Sequence, residues 1–520
     1  MAIATVTCRA QLGMHAPLVQ VEVSLGSGLP VFSIVGLPAT VVKESKDRVR
    51  AALVNSNFEF PAGRITVNLS PADIPKRGGR FDLPIALGIL LASGQVQLHR
   101  SHGSDTSDLE FYGELGLKGD LRSVPGLLLV AAHAARVGHE IVVPQANADE
   151  AQVLLAGITD RARPSIRAAD HLLAVCAHLD GSAPLPIIPV PPPRTLRWAA
   201  DSALDLSDVR GQTQAKRALT IAAAGSHSLL MIGPPGAGKS MLAMRLPGLL
   251  PPMTDAESLE VAAIASVSGT GFNARQFGRR PMRTPHHTAS AVALIGGGPR
   301  ARPGEISLAH HGVLFLDELL EYDRRALEAL REPLESGVVS IARATHHTQY
   351  PAEFQLIAAM NPCPCGRFGD PAGNCRCSPP QILQYRARIS APLLERLDIQ
   401  LEVPRVDFTD FDDVALANES SAIVAARVAR AREIQIARQG RSNARLVDAQ
   451  IDRVCSPDKS GREILDRAMK VLAFSARARQ RILKVARTIA DLKGHETVTA
   501  SHVSEAVMYR ALDRKLPQGT

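Results

Sequence analysis

An eight-residue run, Gly233-Pro234-Pro235-Gly236-Ala237-Gly238-Lys239-Ser240, dictates much of what this chain must build around it. It satisfies the pattern G-x-x-x-x-G-K-[ST], and its flanks are those the pattern requires. The apolar residues 228–233 read as a buried strand before it, and residues 241–249 read as a helix behind it. Amides of such a loop converge with a helix N-terminus on phosphate oxygens. The glycines let the main chain wrap phosphate, Lys239 reaches the β- and γ-oxygens, and Ser240 offers its hydroxyl to magnesium. The bland alternative is a glycine-rich turn, which the strand and helix weigh against. The chain is expected to bind ATP with Mg2+.

Binding alone does not make a hydrolase. Residues 313–318, Val-Leu-Phe-Leu-Asp-Glu, form an apolar strand ending in two acids. Asp317 is placed to complete the metal shell begun by Ser240, and Glu318 to polarise the attacking water as general base. A helix cap is the structural alternative, since residues 323–334 read as a helix. A third apolar strand, 354–360, runs into Asn361, whose amide could orient that water.

Composition supports a globular, multi-domain chain. Its 520 residues suggest three or four domains, and 45% hydrophobic with 21% charged residues argue against disorder. No uncharged apolar run approaches the roughly 18 residues of a membrane span. The start, Met-Ala-Ile-Ala-Thr-Val, lacks a basic segment and a long apolar core, so no secretory signal and a cytoplasmic location are expected. Seven cysteines include a cluster, Cys363-x-Cys365 and Cys375-x-Cys377, separated by glycine-bent chain. Four thiolates on two short arms can close a tetrahedral Zn2+ site, although C-x-C is tighter than the usual C-x2-C. Buried free thiols are the alternative, but these sit among Pro, Gly and Arg.

The net charge of +8 is uneven. Residues 421–520 hold 20 Lys and Arg against 10 Asp and Glu. A second basic zone, 269–304, contains Arg275, Arg279, Arg280, Arg283, Arg300 and Arg302 and no acid. Such density suits phosphate backbones, a solvated surface being the alternative. His286 and His287 lack partners at metal spacing and read as loop-ordering or DNA-contacting residues. Residues 338–351 read as a hairpin with Arg343, His346 and His347 near its tip. With 4% aromatic residues and one tryptophan, Trp198, base stacking cannot carry much nucleic-acid affinity.

The segments Pro285-His-His-Thr-Ala-Ser, Leu294-Ile-Gly-Gly-Gly, Pro303-Gly-Glu-Ile-Ser-Leu-Ala-His, Val313-Leu-Phe-Leu-Asp-Glu-Leu and Asn361-Pro-Cys-Pro-Cys-Gly resemble those of magnesium-chelatase-like AAA+ ATPases, and more narrowly of the ComM/YifB family. The likeness runs from residue 5 to residue 510. It implies an α/β multi-domain fold: a Lon-protease-like α+β domain at 1–180, a Pro-rich linker at 181–200, a P-loop AAA+ core at 201–415 carrying the cysteines, and an all-helical lid at 416–515. It also implies a hexameric, ATP-driven motor on single-stranded or branched DNA, acting in branch migration during natural transformation.

By the same resemblance Asn361 stands as sensor one, and the hairpin before it projects into a ring's pore. Arg396, in Pro392-Leu-Leu-Glu-Arg-Leu-Asp398, resembles the finger that reaches a neighbour's γ-phosphate. Arg477 stands as sensor two, with Arg386, Arg388 and Arg481 near enough to compete. In the Lon-like domain, Asp82 occupies the place of the serine nucleophile and Leu128 that of the lysine base. Neither can do that chemistry. Ser70, Lys76 and Ser93 remain nearby. Strands are expected at 5–24, 65–69 and 140–144, and helices at 82–92 and 127–137. Three classes remain: a DNA motor, a chelatase-type subunit or remodelling chaperone, and an ATP-dependent protease, which Asp82 and Leu128 disfavour.

Overall fold

The protein is described from a computed structural model, over residues 2–99, 108–157, 164–190, 204–268, 271, 273, 276–298, 301–342, 347–370, 373–405, 419–510 and 512. Arg343 and His346 lie outside these residues, as do Arg275, Arg300 and Trp198, and only the backbone of His347 is described. The chain divides into two compact units. One comprises Met1–Arg197, Thr254–Gly278 and Ala344–Tyr350; the other comprises Trp198–Met253, Arg279–Arg343 and Pro351–Thr520.

In the first unit, strand Arg64–Ser70 buries Ile65, Val67 and Leu69 in strict alternation, the period of a one-sided strand. It joins a seven-stranded mixed sheet ordered Val31–Val35, Arg64–Ser70, Leu18–Gly26, Ala2–Arg9, Leu109–Phe111, Glu140–Pro144, Ile166–Ala169. The helix Asp82–Ala92 is apolar on nearly every side and correspondingly buried, against Ala2–Arg9 and Leu18–Gly26. Gly88 permits that approach, because a Cβ there would meet Val23 Cγ2 at 2.5 Å. The first residues of the expected proline-rich linker pack within this unit. Leu185 and Ile188 are buried, and the Ile188 amide donates to Ile166 O at 2.8 Å, so the segment covers the edge strand Ile166–Ala169.

The helix Asp255–Val267 also belongs to this unit, although it follows the phosphate loop in sequence. It packs on the helices Leu127–Val137 and Ala148–Gly157. The Ser266 carbonyl accepts from Gly126 N at 3.1 Å, and the Ser266 hydroxyl bonds Glu150.

The second unit is built on a five-stranded parallel sheet ordered Met282–Arg283, Val313–Leu316, Gln355–Met360, Leu229–Ile232, Ile399–Glu402. The three central strands are buried at every position, as a parallel sheet covered on both faces requires. Helix Thr213–Gly225 packs against both the sheet and the C-terminal helices Ser421–Gln439 and Ala476–Leu492. One apolar core runs from Leu229, Phe315 and Ile357 through Leu219 and Ala222 to Val428, Leu483 and Ile489. The architecture is thus mixed α/β, with a parallel sheet and a helical C-terminal region.

Two expected helices are interrupted, each at a proline. Residues 241–249 give Lys239–Ala243 and then a tight turn, Leu246–Leu249. Residues 323–334 give Arg324–Glu328 and Arg331–Ser336. Pro247 and Pro333 cannot donate to the carbonyls of Ala243 and Ala329, and their rings crowd them, so the ladder stops there.

Candidate nucleotide site and cysteine cluster

Strand Leu229–Ile232 lies between Gln355–Met360 and Ile399–Glu402, with Ile232 level with Met360 and with Glu402. Leu316 is level with Ala358. Gly233, Asp317 and Asn361 therefore leave the sheet at the same carboxyl edge. The strand after Leu229–Ile232 lies at one edge of the sheet and the last strand on its other side. This reversal of winding opens the crevice where parallel α/β sheets bind ligands.

The crevice is a cleft of about 400 Å³ lined by residues 235–241, Asp317, Glu318, Met360 and Asn361. Gly236 and Gly238 hold φ of +79° and +85°, so the loop depends on glycine. Lys239 Nζ donates to Gly233 O at 2.7 Å and Pro234 O at 2.9 Å, with Asn361 Oδ1 at 3.4 Å. Burial draws the Lys239 ammonium below its usual range, partly offset by Asp317 and Glu318. Ser240 Oγ donates to Asp317 Oδ2 at 2.5 Å. Hydroxyl and carboxylate thus meet where a divalent cation would take both as ligands, and the residues fit magnesium nucleotide.

Glu318 holds a left-handed backbone, φ +50°, which costs about 1 kcal/mol or more in a non-glycine residue. Its side chain is 58% exposed and lies 3.5 Å from His287 Nδ1. This brings His287, from the basic zone, beside a residue that lines the cleft. Tyr322, which the motifs do not single out, secures this arrangement by donating to Pro285 O at 2.6 Å. A tyrosine soon after the acidic pair was the available signal.

The basic residues divide by role. Arg280 donates to the carbonyls of Pro251, His311 and Pro252, and Arg283 forms a two-pronged pair with Glu305 at 2.6 and 2.8 Å. Both are engaged in holding the fold. Arg279 and His286 are exposed, and His286 Nδ1 lies 2.9 Å from Thr288 Oγ1.

Arg396 is only 8% exposed; it pairs with Glu335 at 2.6 Å and donates to Pro392 O at 2.7 Å. Arg477 is 59% exposed, 3.2 Å from Glu395. Arg481 is bound to buried Asp398 at 3.0 Å, and Arg386 donates to Pro362 O while covering the Phe368 ring. Arg388 lies 3.7 Å from Glu321.

Cys363, Cys365, Cys375 and Cys377 converge, with all four sulfurs within 4.8 Å of one another. The distances from Cys363 Sγ to Cys365 and Cys375 are 3.4 and 3.7 Å, and Cys365 to Cys375 is 3.6 Å. A tetrahedral zinc with Zn–S near 2.3 Å has S···S edges of about 3.8 Å, so the donor set fits this ion. The Phe368 amide donates to Cys363 Sγ at 3.4 Å. Amides of Arg367 and Arg376 pull the Cys365 thiol down to about 6. Cys375, despite the Cys377 amide, is pushed up to about 12 by burial and its sulfur neighbours. Four sulfur donors this close are a group that could hold one metal ion.

The chain is similar in sequence to known proteins. The family profile described as "Magnesium chelatase, subunit ChlI" matches residues 205–411. "Subunit ChlI of Mg-chelatase" matches 21–147, and "Magnesium chelatase, subunit ChlI C-terminal" matches 418–510. "Competence protein ComM" of Haemophilus influenzae is 47% identical over 517 residues, covering 99% of both chains. The chain belongs to the ComM/YifB family. YifB of Escherichia coli is likewise 47% identical, over 516 residues covering 99% of this chain and 98% of its own. A shorter likeness, 31% over 96 residues, links 18% of this ComM/YifB chain to 10% of the "DNA replication licensing factor Mcm6" of Drosophila melanogaster. This ComM/YifB chain carries magnesium-chelatase-type domains, a family that suggests an ATPase. Among its described residues, no helix is long and apolar enough to cross a membrane.

Proposed function

We propose that the chain is an ATP-driven DNA motor: a cytoplasmic, hexameric branch-migration helicase acting on single-stranded or branched DNA in natural transformation. The observation that carries the ATPase half is the convergence of Lys239, Ser240, Asp317, Glu318 and Asn361 on one cleft. The DNA half rests on full-length similarity to a protein named for competence and on the shorter likeness to a DNA replication factor.

In this reading Lys239 exchanges its bonds to the Gly233 and Pro234 carbonyls for phosphate oxygens. Ser240 and Asp317 hold magnesium, which when bound neutralises charge on those oxygens. Asn361 orients the attacking water, and half-exposed Glu318 takes its proton. Arg396 completes a neighbour's site, and Arg477 acts as sensor two on the lid side. The cysteines hold a structural zinc that fixes the chain just after Asn361. Arg279, His286 and the segment carrying Arg343, His346 and His347 touch DNA phosphates, with His287 shared between DNA and Glu318.

The first unit is proposed to be Lon-like and non-proteolytic. Asp82 is buried and bound by Ser45 and, at 2.7 Å, by Arg48, and Leu128 is buried too. Lys76, also buried, donates to Pro71 O. A chelatase-type subunit or remodelling chaperone is the second reading, favoured by the family profiles alone. ATPase rates with and without single-stranded, duplex and branched DNA, beside strand displacement, decide between them. No binding and no stimulation by any DNA would remove the motor.

A further inference from the structure

Arg396 is held by a partner that its motif does not include. Its Nη2 lies 2.6 Å from Glu335 Oε1 and its Nη1 donates to Pro392 O, while its Nε is buried without a hydrogen-bond partner. Arg280, by contrast, places its donors on three carbonyls, although an unmatched Nε is shared by Arg331, which pairs with Glu328. Arg396 in this pose thus has two engaged amino groups and one unmatched donor, so its hold on the site is incomplete.

The main chain at Arg396 is fixed where the head is not. Ser228, just before the phosphate-loop strand, donates its hydroxyl to Arg396 O at 3.2 Å. Only the guanidinium end is therefore exchangeable. Glu335, for its part, is 49% exposed and sits in the helix Arg331–Ser336. Gly337, at φ +69°, ends that helix, and strand Val338–Ala342 follows at once, leading to the segment of Arg343 and His346. A pull on that strand acts on Glu335 within one turn of helix.

We propose that Glu335 is the positioning residue for Arg396: its carboxylate parks the guanidinium against its own subunit and yields it to a neighbour's nucleotide when the strand behind it is loaded. This rests on reading Arg396 as the trans-acting finger. Glu335 then acts as a brake on hydrolysis in the unloaded ring, and DNA releases it.

The test is the ATPase rate of the full chain with and without DNA for E335Q, E335K, R396A and the double variant E335Q with R396A. E335Q should raise the DNA-free rate by about twofold to fivefold, the range of a half-exposed ion pair, and shrink the stimulation by DNA to match. E335K, which repels the guanidinium, should raise it further. R396A should silence hydrolysis in either background. An E335Q rate equal to or below that of the parent, in protein with the parent's circular dichroism, overturns the brake even if R396A is dead. Parent-like hydrolysis by R396A overturns the finger itself, and the brake with it.

Discussion

Arg481 reaches from the helix Ala476–Leu492 to within 3.0 Å of the Asp398 carboxylate, whose other oxygen accepts from Ser228 N at 3.1 Å. His227 joins the same group, with Nδ1 at 3.3 Å from Asp398 and Nε2 at 2.7 Å from Thr488 Oγ1. One buried charge thus ties the strand feeding the phosphate loop, the chain leaving Arg396 and a C-terminal helix.

Burial alone would raise the Asp398 carboxyl, yet Arg481, His227 and Lys484 hold it well below the usual carboxylate range. Its folded pKa is therefore depressed, so its stabilisation is complete above the unfolded value of about 3.9 and fades as pH falls through the folded value. Asp398→Asn should cost about 3 kcal/mol at neutral pH by leaving Arg481 unpaired. In urea unfolding the gap between parent and variant should hold from about pH 7 to 5 and narrow below about pH 4. A gap that widens on acidification would contradict the assignment.

Lys239→Ala should abolish nucleotide binding, whereas Glu318→Gln should bind normally and turn over ~100-fold or more slowly. Fluorescent-nucleotide titration and steady-state hydrolysis separate the two effects. Normal turnover by Glu318→Gln would mean that another group activates the water.

Purified protein should carry about one zinc per chain by elemental analysis, lost in Cys363→Ser and in Cys375→Ser. Metal-free protein that is folded and active would rule the site out.

Arg396→Ala should bind ATP in its own subunit yet hydrolyse it orders of magnitude more slowly. Mixed with Lys239→Ala subunits, it should regain part of the activity, since some interfaces then pair an intact cradle with an intact finger. A mixture that stays dead while subunits demonstrably exchange would place Arg396 in cis.

What could be read from sequence was local. Runs such as 313–316 and 355–360 announce buried parallel strands, and alternation at Ile65, Val67 and Leu69 announces a one-sided one. The cradle and the cysteine pairs also declare themselves by spacing. Partners distant in sequence do not. A count of arginines cannot separate Arg280, bound to three carbonyls, from exposed Arg279. Nor does proline content reveal that Leu185 and Ile188 are buried at a sheet edge. The pairing of Arg396 with Glu335 exists only after the parallel sheet has formed.

The helix Asp255–Val267 has a consequence for synthesis. It completes the first unit, yet it leaves the ribosome after residues 233–240, which belong to the second. The N-terminal unit therefore cannot finish folding when its own sheet has emerged; it waits, with the bed on Leu127–Val137 and Ala148–Gly157 uncovered, until the phosphate loop is already outside. A gene cut at the proline-rich segment would strand that helix on one product and its bed on the other, leaving the first product with its apolar bed uncovered.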